Sequence, residues 1–181
     1  MNLWLRLLWL VLSSLVRAPL APTAETSRLR FRVWPHDLDT SLHLNNGRYW
    51  SIADLGRADL ILRSGLWRAV LRHRWTPVVS AALMRFRREL RPFQAFRLET
   101  RIVTWGDTWI AIEQRFVTGG TRGEIVAAVA LVRVGLYDRR ARALVPAERL
   151  FAEIGTAPVA PPPPGPEVEA FLAADAALKR R

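Results

Sequence analysis

Between Asp37 and Tyr49 the chain reads Asp-Leu-Asp-Thr-Ser-Leu-His-Leu-Asn-Asn-Gly-Arg-Tyr. Two acids, an imidazole, two amides and a phenol are packed into one short stretch. They stand between a strand-like run, Leu29–Trp34, and a long helical pattern. Ionisable and amide side chains at such a junction can set a carboxylate beside the unpaired N–H groups of a helix start. That arrangement can hold an attacking water near an electrophilic carbonyl, so hydrolysis is the chemistry to expect first.

The flanking elements must position these groups. Asn45 or Asn46 is a natural helix cap, and Tyr49, Ile52, Ala53, Gly56 and Leu60 recur behind it at helical spacing, up to a stop at Gly65. Gly47 and Gly56 inside a helix cost about 1 kcal/mol each relative to Ala, which close approach to a sheet or subunit would offset. Asp54 and Arg57, three apart, predict an ion pair on the helix surface or at a subunit interface. From Pro77 the period becomes two. Strands are expected over Val79–Phe86, Phe96–Ile102, Trp109–Val117 and Ile125–Val134, with turns at Gly106-Asp107 and Gly119-Gly120. Short turns between successive strands imply an antiparallel meander, and one helix with such a sheet gives the α+β class.

Composition bounds the rest. The chain has 181 residues, half of them hydrophobic, enough for one core with short appendages. It has no Cys, which excludes disulfides, thiolate nucleophiles and zinc–thiolate sites. His36, His43 and His73 are the only histidines and form no metal-binding pair, so neither a metal nor a cofactor is expected. The net charge is +11, carried by Arg, with Lys179 the single lysine. This charge favours anionic partners, or reflects a genomic preference for Arg; no nucleic-acid-binding module accompanies it.

Residues 1–20 predict an amphipathic helix. Asn2, Arg6, Ser13 and Arg17 fall on one side, with Trp4, Leu7, Leu8, Val11, Leu12, Leu15 and Val16 on the other. The expectation is a retained helix, lying in a membrane interface or docked on protein, rather than a secretory signal, because Arg6 lies inside the apolar run. At the other end, residues 155–181 read as a Pro-rich spacer and a short C-terminal helix, a tail without chemistry.

Order and motif together resemble the single-hotdog, 4-hydroxybenzoyl-CoA thioesterase-like group. The resemblance rests on Asp37-x-Asp39-x-x-x-His43-x-Asn45-Asn46-x-x-Tyr49, followed by a glycine-punctuated helix and the strands. Within that group the chain is similar to the branch containing thioesterase superfamily member 6. The resemblance implies a hotdog domain over 28–150, a curved antiparallel sheet wrapped around one long central helix. It implies an acyl-CoA thioesterase in which Asp39 acts as general base or nucleophile and the Asn46 backbone N–H polarises the thioester carbonyl. His43 joins that catalytic set, although its imidazole equally well shapes the loop. Asn45, Tyr49, Arg88 and Arg91 are the implied substrate contacts, the two arginines toward the phosphates of coenzyme A.

The resemblance further implies a homodimer or dimer of dimers with sites shared between chains, and a cytoplasmic protein, peripheral on the inner membrane surface if residues 1–18 engage lipid. Leu42 stands where the group has Gly, which narrows the site or alters its acyl preference. The alternative reading is a non-catalytic, membrane-associated hotdog protein that binds acyl chains or a protein partner. A hydratase of the same fold fits less well, since Asp39 and His43 are four apart with no Pro between them. Trp50, Trp67, Trp75, Trp105 and Trp109 suit an acyl tunnel or a core equally.

Overall fold

The computed structural model describes residues 2–120, 123–156 and 160–179. In chain order it contains α1 (Asn2–Ser14), β1 (Ser27–Arg32), a 3-10 turn (Pro35–Asp37), α2 (Asn46–Arg63), α3 (Leu66–His73), β2 (Trp75–Phe86), β3 (Ala95–Trp105), β4 (Ile110–Gly120), β5 (Gly123–Asp138), β6 (Ala143–Leu144), α4 (Ala147–Glu153) and α5 (Pro166–Lys179). The strands form one sheet in the order β1-β3-β4-β5-β2, with β6 added to β5. The class is α+β. Strands β3, β4 and β5 follow one another as a meander, but β2 does not join β3. It lies beyond β5, which eight residues (87–94) between β2 and β3 allow and which strand periodicity cannot reveal.

Two compact units divide the chain. The first comprises Met1–Ser64, Arg85–Arg101 and Gln114–Val129. Here β1 pairs antiparallel with β3, from Ser27 opposite Thr100 to Arg32 opposite Ala95. Asn45 caps α2 by accepting the Gly47 N–H at 2.8 Å, and Tyr49, Ile52, Ala53, Leu55, Gly56 and Leu60 form its buried side. Gly56 meets the sheet so closely that an added Cβ would stand 2.2 Å from Thr100 Oγ1 and 2.8 Å from Leu98 Cδ2. The expected close approach is therefore present. Beside it the buried Gln114 donates to the Ala53 carbonyl at 2.8 Å and to Thr100 Oγ1 at 3.1 Å, and accepts from Arg57 at 2.7 Å. Arg57 also bonds Asp54, as the spacing predicts. Burial pulls its guanidinium below the usual range, while Asp54 acts in the opposite direction.

Helix α1 docks in this unit in a way the helical wheel does not suggest. Leu3, Leu7 and Leu10 pack with Leu29, Phe31, Leu55, Ala58 and Leu62. Arg6 lies on the same inward side and meets the buried Asp37 at 2.6 Å, and Arg17, in the turn after α1, meets the buried Asp59 at 2.9 Å. Asp59 also accepts from Ser27 Oγ at 2.6 Å and faces Arg63 at 3.4 Å. The supposedly polar face is the docking face. Trp4, Leu5, Leu8, Trp9, Leu12, Leu15 and Val16 are left exposed.

The second unit comprises Gly65–Met84, Ile102–Glu113 and Ala130–Arg181. Helix α2 ends at Arg63, just before Gly65, as the spacing predicts, but the chain does not leave helix for long. At φ +80° Gly65 turns the chain into a second helix, α3, which closes at Arg74, φ +57°. His73 stacks on the buried Trp75 at 4.7 Å, Arg149 lies over the same ring, and Trp75 Nε1 donates to Asp138 at 3.1 Å. Trp105 packs edge-on against Phe151. These tryptophans fill a core. Helix α5 is no loose tail: Val168 and Phe171 pack with Ala111 and Leu131, Leu172 and Trp109 join them, and Asp175 pairs with Arg133 at 2.7 Å. No helix among the described residues is long and apolar enough to cross a membrane.

Candidate active site

The loop between the 3-10 turn and α2 is closed by its own backbone. The Asp37 carbonyl accepts the Asn45 N–H at 2.9 Å, Leu38 and Leu44 form a bridge, and the Asp39 N–H donates to the His43 carbonyl at 2.9 Å. Leu44 is buried and its N–H donates to the Leu90 carbonyl at 2.9 Å, which fastens the loop to the segment after β2. Two sequence-predicted site residues thus flank one closed base, Asp39 just inside it and Asn46 just beyond it.

Asp39 is half-buried and makes no ion pair among the described residues. Its Oδ1 accepts the N–H groups of Ser41 at 2.9 Å and His43 at 3.2 Å. Its Oδ2 has no partner among the described residues. One carboxylate oxygen shapes the loop and the other is left to take a proton or attack. Asn46 is the first residue of α2, and no described group accepts its N–H. A free first-turn N–H at the positive end of a helix is a suitable donor to a developing oxyanion.

The remaining predicted residues divide. His43 Nε2 stands 3.1 Å from Glu89 Oε2, so its imidazole is paired across the loop rather than turned to Asp39. Glu89 also holds Arg91, at 2.7 and 2.9 Å, and that hydrogen bond, more than the nearby His43, holds its carboxyl below the usual range. Asn45 spends its side chain on the helix cap. Tyr49 is 2% exposed and lies edge-on between Phe86 and Phe116, with burial pushing its hydroxyl up to about 12. Arg88 and Arg91 line a cleft of about 630 Å³ with Arg87, Glu89, Gln94 and Thr118. The Arg87 and Arg88 guanidinia have no partner among the described residues, while the backbone N–H groups of both residues donate to the Ala127 carbonyl. Glu89 belongs both to this basic cleft and to the His43 pair, so the two features adjoin.

Leu42 adopts φ +59° and its side chain is exposed. The loop therefore keeps the left-handed backbone that Gly allows, and the added side chain points to solvent. In the sequence Arg6 stands only as an interruption of the apolar run, and Glu89 has no assigned role. A basic residue inside an apolar helix was the available signal for Arg6; Glu89 had only its place in an Arg-rich run. No cluster of three or more His, Asp or Glu able to hold a metal occurs among the described residues.

Comparison with known proteins places the chain in a family and a fold. The profile described as "Thioesterase-like superfamily" matches residues 33–172. Protein THEM6 of Danio rerio is 35% identical over 130 residues, 72% of this chain and 63% of that protein. Protein THEM6 of Xenopus laevis is 39% identical over 101 residues, 56% of this chain and 48% of that protein. The match thus spans 48% and 63% of the length of these two curated relatives. Among solved structures, a 4-hydroxybenzoyl-CoA thioesterase complexed with 4-hydroxybenzoyl-CoA superposes with a TM-score of 0.65 at 11% identity, over 72% of this chain and 99% of that one. The fold is the hotdog fold. With the profile covering most of the chain, the protein belongs to the thioesterase-like superfamily.

Proposed function

We propose that this protein hydrolyses acyl-CoA thioesters. Asp39 acts through its unpartnered Oδ2, either as general base on water or as nucleophile at the thioester carbon. The Asn46 N–H donates to the carbonyl oxygen, which becomes an oxyanion as the tetrahedral intermediate forms. The observation that carries this reading is the loop closure of Asp37 to Asn45, which holds a free carboxylate oxygen and a free helix-start N–H on the two sides of one hydrogen bond. His43, paired with Glu89, assists by fixing the loop, and Asn45 and Tyr49 support the substrate site by capping and packing. Arg88 and Arg91, with Arg87, offer guanidinium forks to the CoA phosphates in the basic cleft.

The reading includes self-association. Strand β2 is a sheet edge, and Val79 and Leu83 on it are exposed, which supports pairing of two protomers into a dimer or dimer of dimers. It also includes peripheral lipid contact through residues 1–18. A docked helix that turns Trp4, Leu5, Leu8, Trp9, Leu12 and Leu15 outward suits an interfacial membrane surface.

The test offers a panel of acyl-CoAs to the purified protein while free thiol is followed, with Asp39→Asn beside it. Thiol release lost in that variant supports hydrolysis. Saturable acyl-CoA binding without turnover supports instead a non-catalytic acyl-binding protein. Sedimentation with liposomes, before and after Leu8→Glu and Leu12→Glu, tests the lipid contact; equal association in all three proteins removes it.

A further inference from the structure

Asp37 is 1% exposed, yet it is an acid with its partner drawn from a distant part of the chain. Arg6 of α1 meets it with two nitrogens, Nη2 to Oδ2 at 2.6 Å and Nη1 to Oδ1 at 3.2 Å. The same Nη2 donates to the Arg32 carbonyl at 3.2 Å, and the guanidinium lies over the Phe31 ring at 5.8 Å. Asp37 Oδ2 also accepts the Trp34 N–H at 3.0 Å, and His36 Nε2 stands 3.5 Å from Oδ1. The main chain of this one residue closes the loop through Asn45. One residue thus carries both the paired, buried carboxylate and the carbonyl that closes the loop.

We propose that Arg6 is a positioning residue for hydrolysis: its fork pins Asp37, and Asp37 fixes the separation between the Asp39 carboxylate and the Asn46 N–H. The inference rests on the reading of Asp39 and Asn46 given above. The inward side of α1 has apolar packing apart from the arginine, with Leu10 buried and Leu3 and Leu7 partly buried beside it. A two-pronged guanidinium holds a carboxylate in angle as well as distance, which an apolar contact or an ammonium does not. Small displacements at a reacting centre are expensive, about 100-fold in rate for 1 Å.

Full-length Arg6→Lys, Arg6→Met and Asp37→Asn are compared with Leu10→Ala, which weakens packing of the same helix without touching the ion pair. Steady-state kinetics on the best acyl-CoA, thermal midpoints, and hydrogen exchange of residues 39–46 are measured. The expected result is a tenfold or larger fall in kcat with KM within threefold for both Arg6 variants, and faster exchange across 39–46 while β3 and β4 are unchanged. Leu10→Ala should lower the midpoint without that pattern. Wild-type turnover combined with unaltered loop exchange in both Arg6 variants overturns the positioning role and leaves the hydrolase reading intact. So does a kcat loss that Leu10→Ala reproduces at the same midpoint. Absence of turnover in the wild type overturns both.

Discussion

The Asp39 carboxylate accepts the backbone N–H of His43 at 3.2 Å, while the Asp39 N–H donates to the His43 carbonyl at 2.9 Å. Under the proposed function, one residue is thus asked both to fold the loop and to do its chemistry. Asp39→Asn separates these duties, since the amide oxygen can still accept from Ser41 and His43 but cannot take a proton. Thiol release should fall on the order of 100- to 10,000-fold, the usual worth of a general base, with the thermal midpoint nearly unchanged. Asp39→Ala removes both duties and should lose activity and stability together. Calorimetry of the two variants beside their kinetics makes the distinction.

Leu42 sits at φ +59°, where an L-residue is strained by about 1–2 kcal/mol. Leu42→Gly relieves that strain and gives back about 0.5–1 kcal/mol through the freer unfolded chain. A net gain of about 0.5–1 kcal/mol is expected in urea unfolding. A loss would mean that the exposed Leu42 side chain makes a contact worth more than the strain, for instance with a second protomer.

Helix α2 approaches the sheet at Gly56, and a methyl group there would collide with Thr100 Oγ1, Gln114 Nε2 and Leu98 Cδ2. Gly56→Ala should cost about 1–3 kcal/mol by overpacking, against the helix propensity that favours Ala. Gly119→Ala is the control, because nothing lies within 4 Å of its added Cβ. Its effect should stay within about 0.5 kcal/mol.

What could be read in advance follows from the range of each interaction. The cap at Asn45, the buried spacing of α2 and the tight packing at Gly56 are local or periodic facts, and they were legible. So were β3, β4 and β5, whose turns are short. The place of β2 beyond β5 was not, since strand order depends on pairings between distant segments. Nor was the direction in which α1 faces. A helical wheel sorts Arg6 and Arg17 onto a polar side, but only the fold reveals that Asp37 and Asp59 wait there, 31 and 42 residues away. Helix α5 gave a similar result, its Val168 and Phe171 meaning little until Ala111 and Leu131 lie beneath them.

Asp138 supplies a pH dependence. The Ala141 N–H above all, then the Arg140 N–H and Trp75 Nε1, hold its carboxyl below the ordinary range, with Arg149 nearby. A carboxyl whose folded value is depressed stabilises the fold above its unfolded value of about 4, and this stabilisation disappears as pH falls through the folded value. Urea midpoints of wild type and Asp138→Asn should therefore differ at pH 7 and converge on acidification below about pH 4. A gap that stays constant with pH would assign the difference to lost hydrogen-bond geometry instead.

Gln114 gives the sharpest test of the core beneath the site. It is fully buried, its amide nitrogen serves Ala53 and Thr100, and its oxygen accepts from the Arg57 guanidinium at 2.7 Å. Gln114→Leu keeps the volume and removes three hydrogen bonds. The Thr100 hydroxyl and the Arg57 fork are then left without that partner, at about 1–3 kcal/mol for each buried group. Adding Thr100→Val to the first change removes one of the orphaned groups, so the double variant should recover part of the loss rather than add to it. If the two losses simply add in urea unfolding, Gln114 is an isolated packing residue, and the polar link between α2 and β4 does not hold the helix that carries Asn46 at its start.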